Sequence, residues 1–285
     1  MLPHKNDLGR DFLLDAGGGL RHGHSRDIGS NPEQELPRLS LIVIAKNEEA
    51  SIGRCLRSAA FADEKVVVDN GSTDKTVEIA RALGARVIET QDWPGFGPQK
   101  NRALAAASGD WILSLDADEW LEEPLAEEIL AAVARSDRFD GYNIPRRSRF
   151  CGEIVRFCGW SPDYVLRLFR REKGQFSNDK VHEHVDVAGR VGRLKQPIEH
   201  ESITDLADAE DKIERYAAAA AAALLAGRKT GGPLKAWLRG QGAFLRTYIW
   251  RLGILDGKTG WRVAQYNRRY TTRKWKIVGS GAGEL

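Results

Sequence analysis

Apolar residues in the first half of the chain fall into short runs separated by amphipathic stretches. LSLIVIA (Leu39–Ala45) has the length and composition of a strand buried on both faces. Asn47-Glu48-Glu49 follows and opens an amphipathic helix to about Ala59. KVVVD (Lys65–Asp69) predicts a second strand. Asn70 to Asp74 predicts a turn that carries its own helix cap, with a helix over about Lys75–Leu83 behind it. Arg86–Glu89 gives a third strand. Thr90 to Pro98 holds two prolines and two glycines and reads as a loop, although Trp93 and Phe96 make it poor solvent filler. A helix over about Gln99–Ala107 follows. WILSLDADEWL (Trp111–Leu121) then drops abruptly from an apolar run into Asp116, Asp118 and Glu119, and a helix over about Pro124–Arg135 succeeds it. Strands alternating with helices predict parallel βαβ units.

After Asp140 the pattern changes. Tyr142–Ile144, Val165–Phe169 and Val181–Val187 look like short strands with basic residues between them, forming the second half of a mixed sheet. From Asp205 the chain turns helical. The alanine run Ala217–Ala223 is a strong helix former, and Gly227 offers a stop. Beyond it, Leu234, Trp237, Leu238, Phe244, Leu245, Tyr248, Ile249 and Leu252 recur at helical spacing with Lys and Arg between them. The pattern divides the chain into a polar, glycine-rich tail (1–37), an α/β domain (38–204) and a helical extension (205–285). The tail has no periodicity and no signal-peptide core, which predicts disorder.

Composition sharpens this picture at one place. The net charge is only +3, but from Gly227 to the end there are 13 Lys/Arg against 2 Asp/Glu. Cys55, Cys151 and Cys158 are odd in number and lack metal-ligand spacing, so they read as small core residues in a reducing compartment. No apolar run reaches 18 residues, so no single helix is expected to span a bilayer.

The candidate chemistry sits at the strand ends. An Asp-x-Asp after a buried strand offers hard oxygens to Mg²⁺ or Mn²⁺ in the crevice where open α/β sheets bind ligands. Asp116 and Asp118 are the candidate metal ligands. A strand turning directly into a helix start at Asn47-Glu48 favours anionic or polar ligands. No Gly-x-Gly-x-x-Gly and no P-loop lies in this half, which disfavours dinucleotide oxidoreductases and P-loop NTPases.

The order AKNEE, VVVDNGSTD, QKNRAL, GDWILSLDADE resembles the family 2 glycosyltransferases with the GT-A fold. LRLFRR, VHEHV, IEH and LDGKTG narrow the resemblance to the bacterial lipopolysaccharide-core β-1,4-glucosyltransferase subgroup. It covers about Leu39 to Val278. Two departures stand out: Ala45-Lys46-Asn47-Glu48 where many members have Pro-x-Tyr-Asn-Glu, and Asp69-Asn70-Gly71-Ser72 where many have Asp-Asp-Gly-Ser. The resemblance implies an inverting transfer of a sugar, glucose by the subgroup, from a UDP-sugar to a lipopolysaccharide-core or other lipid-linked glycan. It places Asp69 on the uracil; Ala45, Asn47, Glu48, Lys100 and Asp116 are the further candidates for binding the nucleotide sugar.

An inverting transfer needs a carboxylate to take the acceptor proton. Asp163 is the first candidate and Glu183 the second. Alternation puts His182 and His184 on the face opposite Glu183, as a metal site or a polar lining of the acceptor cleft. Arg167, Arg170 and Arg171 are candidates for acceptor phosphates. The aromatic and basic extension suits an anionic membrane surface, giving a cytoplasmic protein peripheral on the inner face of the cytoplasmic membrane. Two other readings remain: a nucleotidyltransferase, and a non-catalytic protein of membrane surfaces. No nucleic-acid-binding motif is present.

Overall fold

Each apolar run of the first half becomes a strand of one sheet. The structure, a computed structural model, describes residues 36–135, 138–177 and 184–281. The expected tail, all but its last two residues, lies outside the described residues, as do His182 and Glu183. In chain order the first elements are β1 (Leu39–Ala45), α1 (Ile52–Ser58), β2 (Glu64–Asp69), α2 (Thr76–Ala82), β3 (Arg86–Glu89), α3 (Phe96–Ala106) and β4 (Trp111–Asp116). β1 runs parallel to β2 on one side and β4 on the other, and β2 runs parallel to β3. The order β3-β2-β1-β4 reverses direction between β1 and β4. The carboxyl ends of those two strands therefore flank a topological switch point, where ligands bind in open α/β sheets. Their register sets Asp116 opposite Ile44.

The second half continues the sheet as β5 (Glu119–Leu121), α4 (Glu123–Ala134), β6 (Gly141–Phe150), β7 (Glu153–Ile154), β8 (Asp163–Arg170), β9 (Gly174–Phe176), β10 (Val185–Val187), β11 (Val191–Arg193) and β12 (Ile198–Ile203). The main path runs β3-β2-β1-β4-β8-β6-β12-β5, with β9 and β10 forming a separate antiparallel ribbon. β8 joins β4 and β6 antiparallel, and β12 lies parallel to β6 and antiparallel to β5. The helical part comprises α5 (Leu206–Ala226), α6 (Pro233–Leu245) and α7 (Gly257–Ser280), with a π-helical turn at Arg246–Trp250 and a 3₁₀ turn at Gly253–Asp256 between the last two. None of the described helices is long and apolar enough to cross a membrane.

The α/β class, the parallel first half and the helical extension are as expected. The differences have local causes. α1 starts at Ile52 rather than Asn47, because Asn47 adopts a left-handed backbone (φ 56°) and bonds to a neighbouring turn instead of entering a helix. α3 starts at Phe96, three residues early. Gly95 at φ 120° ends the loop, and Pro98 falls in the first helical turn, where its missing N–H costs no bond. WILSLDADEWL is two strands, since the chain reverses at Ala117-Asp118 and β5 leaves to pair with β12. α5 is capped by Asp205, whose side chain accepts from the Asp208 N–H, but past Gly227 it is Arg228 that takes the left-handed conformation.

The sheet is buried on both faces. Leu41, Val43, Val67 and Leu113 pack on one face with Ile52, Leu56, Leu125 and Ile129 from the helices. Ile42, Val66, Val68 and Ile112 pack on the other with Ala103 and Phe169. A third cluster binds the helical part to the sheet. There Phe150, Val155, Cys158 and Ile203 meet Ala209 and Val263, with Trp160 and Tyr266 at its edge. The three cysteines are free thiols; burial, with Asp256 alongside, pushes Cys158 up to about 12.

Phe150 touches both Trp160 and Tyr266 with its ring. Phe150→Ala is expected to cost about 3–5 kcal/mol, the usual toll for a buried phenylalanine. Because sheet and helices share this cluster, calorimetry should still show one cooperative transition; two separated transitions would contradict the shared core.

Candidate functional site

Two loops at the carboxyl ends of β1 and β2 are cross-linked into one wall. The Asn47 N–H donates to Ser72 Oγ (2.8 Å), and Asn47 Oδ1 accepts from the Thr73 N–H (2.8 Å). The Glu48 N–H donates to Thr76 Oγ1 (2.7 Å), and Glu49 accepts from the Lys75 N–H (3.0 Å). Asp69 is almost wholly buried, and its two oxygens accept from the Ser72 N–H and hydroxyl. It pins the turn, and the next residue, Asn70, faces the cleft.

Asp116 stands at the switch point within a line of alternating charges. Its Oδ1 receives Lys100 Nζ at 2.9 Å, and its Oδ2 receives the Arg167 guanidinium. Arg167 also reaches Glu119 Oε1 (3.0 Å), Glu119 meets Arg146 (3.4 Å), and Arg146 binds Asp163 (2.6 Å). Lys100, Arg167 and Glu119 are all buried, at 3%, 7% and 1% exposure. Such charges persist inside a protein only when paired. Burial alone would raise the Asp116 carboxyl, but Arg167 and Lys100 outweigh it and hold it well below the usual carboxylate range. Burial likewise works against the Arg167 cation, while Asp116 and Glu119 hold its pKa above the ordinary value. Glu119 closes the turn from behind, its Oε2 accepting the Asp116 N–H (3.0 Å).

That turn presents Asp118 to the cleft, where sequence reasoning missed a partner. The antiparallel pairing of β5 with β12 sets His200 opposite Glu119, and His200 Nε2 lies 3.4 Å from Asp118 Oδ2. On its other edge the ring meets Ser202 Oγ (2.8 Å) and Ser148 Oγ (3.2 Å) at Nδ1. The sequence signal was IEH, which carries no spacing rule linking it to Asp118. Among the described residues no cluster of three or more His, Cys, Asp or Glu side chains surrounds one point. Asp118 and His200 do fit a hard divalent ion. Adjacent ligands in an octahedral shell at 2.0–2.1 Å lie about 3 Å apart, close to their separation, and such ions usually keep water or phosphate oxygens in the remaining positions.

The cleft encloses about 1120 Å³. Its lining includes Ala45, Asn47, Glu48 and Asn70 from the cross-linked loops, Asp116 and Asp118 from the β4–β5 turn, and Trp160, His200 and Glu201 from the second half of the chain. Burial, reinforced by the Asp118 charge against a lowering bond from Ser51, raises the Glu48 carboxyl. The exposed rings of Trp93 and Phe96 meet edge to face at 4.9 Å at the mouth. The helical extension supplies the remaining wall, with Asp208, Lys212, Arg215 and Tyr216 from α5 and Tyr266 from α7.

Several sequence candidates stand elsewhere. Lys100 lies beneath the cleft as the partner of Asp116. Asp163 opens β8, held by Arg146 and outside the lining. The three arginines considered for acceptor phosphates face inward or away: Arg167 is buried, Arg170 pairs with Asp140 (3.6 Å), and Arg171 donates to the Gly109 carbonyl (2.9 Å). The cleft cations are Lys46, Arg54, Lys212 and Arg215 instead. His184 is exposed on the β9–β10 ribbon beside Asp186 (3.3 Å).

A family model, Glycosyl transferase family 2, matches residues 40–199. An uncharacterized glycosyltransferase of Rickettsia typhi is 34% identical over 193 residues, 64% of this chain and 66% of that one. The lipopolysaccharide core biosynthesis glycosyltransferase LpsC of Rhizobium meliloti is 35% identical over 167 residues, 55% of this chain and 60% of LpsC. The chain thus spans less than two thirds of the length of these relatives. Among solved structures, glucosyl-3-phosphoglycerate synthase from Mycobacterium tuberculosis, in complex with Mn²⁺, UDP and glucosyl-3-phosphoglycerate, is 25% identical with a TM-score of 0.37, covering 48% of this chain and 57% of that one.

The charge line makes a pH-dependent claim. The folded Asp116 carboxyl titrates below the roughly 3.9 of an unfolded aspartate. Its pairing therefore contributes fully above that value and is lost as pH falls through the folded one. Lys100→Met should cost about 1–3 kcal/mol near neutrality. The Tm gap from wild type should stay constant from about pH 6 to 8 and narrow below about pH 4. A gap that widens on acidification would contradict the assignment.

Proposed function

This chain belongs to glycosyl transferase family 2, and from that premise we propose that it is an inverting enzyme moving a sugar, which we take to be glucose, from a UDP-sugar to a lipopolysaccharide-core or other lipid-linked glycan. The observation that carries the proposal is Asp118 facing His200 at 3.4 Å beside the switch point of the sheet. A pyrimidine nucleotide fits against the wall made by Ala45, Asn47, Glu48 and Asn70, with Asp69 acting through the turn that it pins. Its diphosphate then lies over the β4–β5 turn.

Asp118 and His200 are the residues that would hold Mg²⁺ or Mn²⁺. Asp116, proposed with Asp118 from sequence, has both oxygens bonded to cations and supports the site through its place in the turn. When bound, the ion neutralises charge developing on the departing diphosphate. Ser148 and Ser202 fix the His200 ring, as outer groups commonly do for a ligating imidazole. Trp93, Phe96, Trp160 and Tyr216 offer apolar faces to a sugar acceptor and exclude water. We retain Asp163 as the acceptor of the hydroxyl proton, with Glu183 as the alternative. Asp163 begins its strand three residues after Trp160, which lines the cleft, and its side chain is the more exposed partner in its pair with Arg146. A lipid-linked acceptor also implies that the protein works on the inner face of the cytoplasmic membrane, attached peripherally through its basic extension.

Incubation with radiolabelled UDP-glucose, Mg²⁺ or Mn²⁺ and bacterial lipid-linked glycans tests the reading. Sugar should leave UDP in a reaction abolished by EDTA, and Asp118→Ala should lose about 10²-fold or more in kcat, as when one preorganised charge-stabilising group is removed. Full activity of that variant in EDTA would reject the metal site. A nucleotidyltransferase would instead release pyrophosphate from a nucleoside triphosphate, and a binding protein would turn over neither. Asp163→Asn should bind donor normally yet fail to transfer; if only Glu183→Gln behaves that way, the proton goes to Glu183.

A further inference from the structure

Ten of the eighteen large apolar side chains exposed among the described residues lie between Leu234 and Trp261. The densest group is the knuckle joining α6 to α7, where Ile249, Trp250, Leu252, Ile254 and Leu255 are all exposed, Trp250 at 78%. Soluble surfaces rarely concentrate apolar side chains in this way without a partner. The knuckle is not a frayed loop. Gly253 lies so close to Cys158 Sγ and the Thr247 carbonyl that a Cβ there would sit 2.8 Å from each. Leu252 keeps a left-handed backbone (φ 55°) while half exposed, a conformation that a leucine holds only where its surroundings impose it.

Charge points to the occupant. Between Arg228 and Gly281 the only acidic residue is Asp256, and its carboxylate is engaged by the N–H groups of Arg156 (3.2 Å) and Phe157 (2.8 Å). Beside the knuckle a pocket of about 340 Å³ is lined by Tyr248, Lys258, Trp261 and Arg262. Two cations and two amphipathic rings next to an apolar prominence match the boundary of a bilayer, where phosphates lie just outside the acyl region.

We infer that the 246–257 knuckle is the element that enters the membrane, and that the adjoining pocket receives the phosphate of an anionic phospholipid headgroup. This rests on the proposed peripheral attachment and assigns it to one element. It also ties attachment to the cleft. The Arg251 carbonyl accepts the Cys158 N–H (2.9 Å), and Asp256 holds Arg156 and Phe157. The segment thus stapled leads directly to Trp160 in the cleft wall. Seating the knuckle in a bilayer fixes that wall relative to the lipid surface from which a lipid-linked acceptor projects.

The test is flotation of the full chain with phosphatidylcholine vesicles, with and without phosphatidylglycerol, at low and high salt. Three exposed-residue variants accompany it: Trp250→Ser/Leu255→Ser in the knuckle, Lys258→Gln/Arg262→Gln in the pocket, and Leu234→Ser/Trp237→Ser on α6 as the comparison. Wild type should float with phosphatidylglycerol and much less without it. The knuckle variant should partition at least about tenfold more weakly, and the pocket variant about 25-fold more weakly, roughly fivefold per cation. The α6 variant should stay close to wild type, and metal-dependent hydrolysis of UDP-glucose should be unchanged in all three. If wild type floats and only the α6 variant is impaired, the knuckle assignment fails while peripheral attachment stands. Equal flotation on neutral vesicles overturns the headgroup pocket. No flotation of wild type under any condition rejects both readings, and a dimer abolished by the knuckle variant would identify the patch as a contact between two copies of the chain.

Discussion

Asp116, bonded at once to Lys100 and Arg167, is the constraint on which the crevice depends. Three cations and three carboxylates alternate from Lys100 to Asp163, so each buried charge has an opposite neighbour. At Lys100, Arg167 and Glu119, which are buried, removing a partner leaves a charge that water cannot readily reach. The arrangement also fixes geometry. Glu119 can accept the Asp116 N–H only if the chain reverses at Ala117-Asp118, and that reversal turns Asp118 outward. The same reversal sends β5 to β12 and so brings His200 to Asp118. Asp116, held between two cations, thus serves as a foundation for Asp118, although both carboxylates border the cleft.

The first half of the fold was legible because its signals are local. Leu39–Ala45, Lys65–Asp69 and Trp111–Asp116 are apolar runs that can only be buried, and alternation with helices fixes parallel pairing. The second half was harder to read. β6 runs ten residues, yet only Tyr142–Ile144 looked like a strand, because Arg146, Arg147 and Arg149 mask the alternation. Those arginines pair with Glu119, Glu199 and Asp163, acids distant in sequence. A charged residue reads as solvent-facing until its partner is known. His200 escaped for the same reason, its neighbour being 82 positions away in the chain.

The helical extension shows how one segment takes two environments. Its amphipathic pattern alone did not separate packing from membrane contact. α5 buries Ala209, Ile213, Ala217 and Ala221, while its other residues complete the cleft through Asp208, Lys212 and Arg215. α7 buries Val263, Ala264, Trp275 and Val278. What remains exposed is concentrated on α6 and the turns after it. Lys212, which no sequence pattern singled out, bridges Asp208 (3.0 Å) and the Ser202 carbonyl (2.8 Å) in the cleft lining.

The central claim is that Asp118 and His200 together form the metal site that a nucleotide diphosphate completes. Pulsed electron paramagnetic resonance on Mn²⁺ bound to the full chain with UDP reads this directly. The account requires modulation from a single directly coordinated imidazole nitrogen, shifted on labelling histidine with ¹⁵N and absent in His200→Ala. A tightly bound Mn²⁺ showing no histidine nitrogen in the wild-type protein would contradict it.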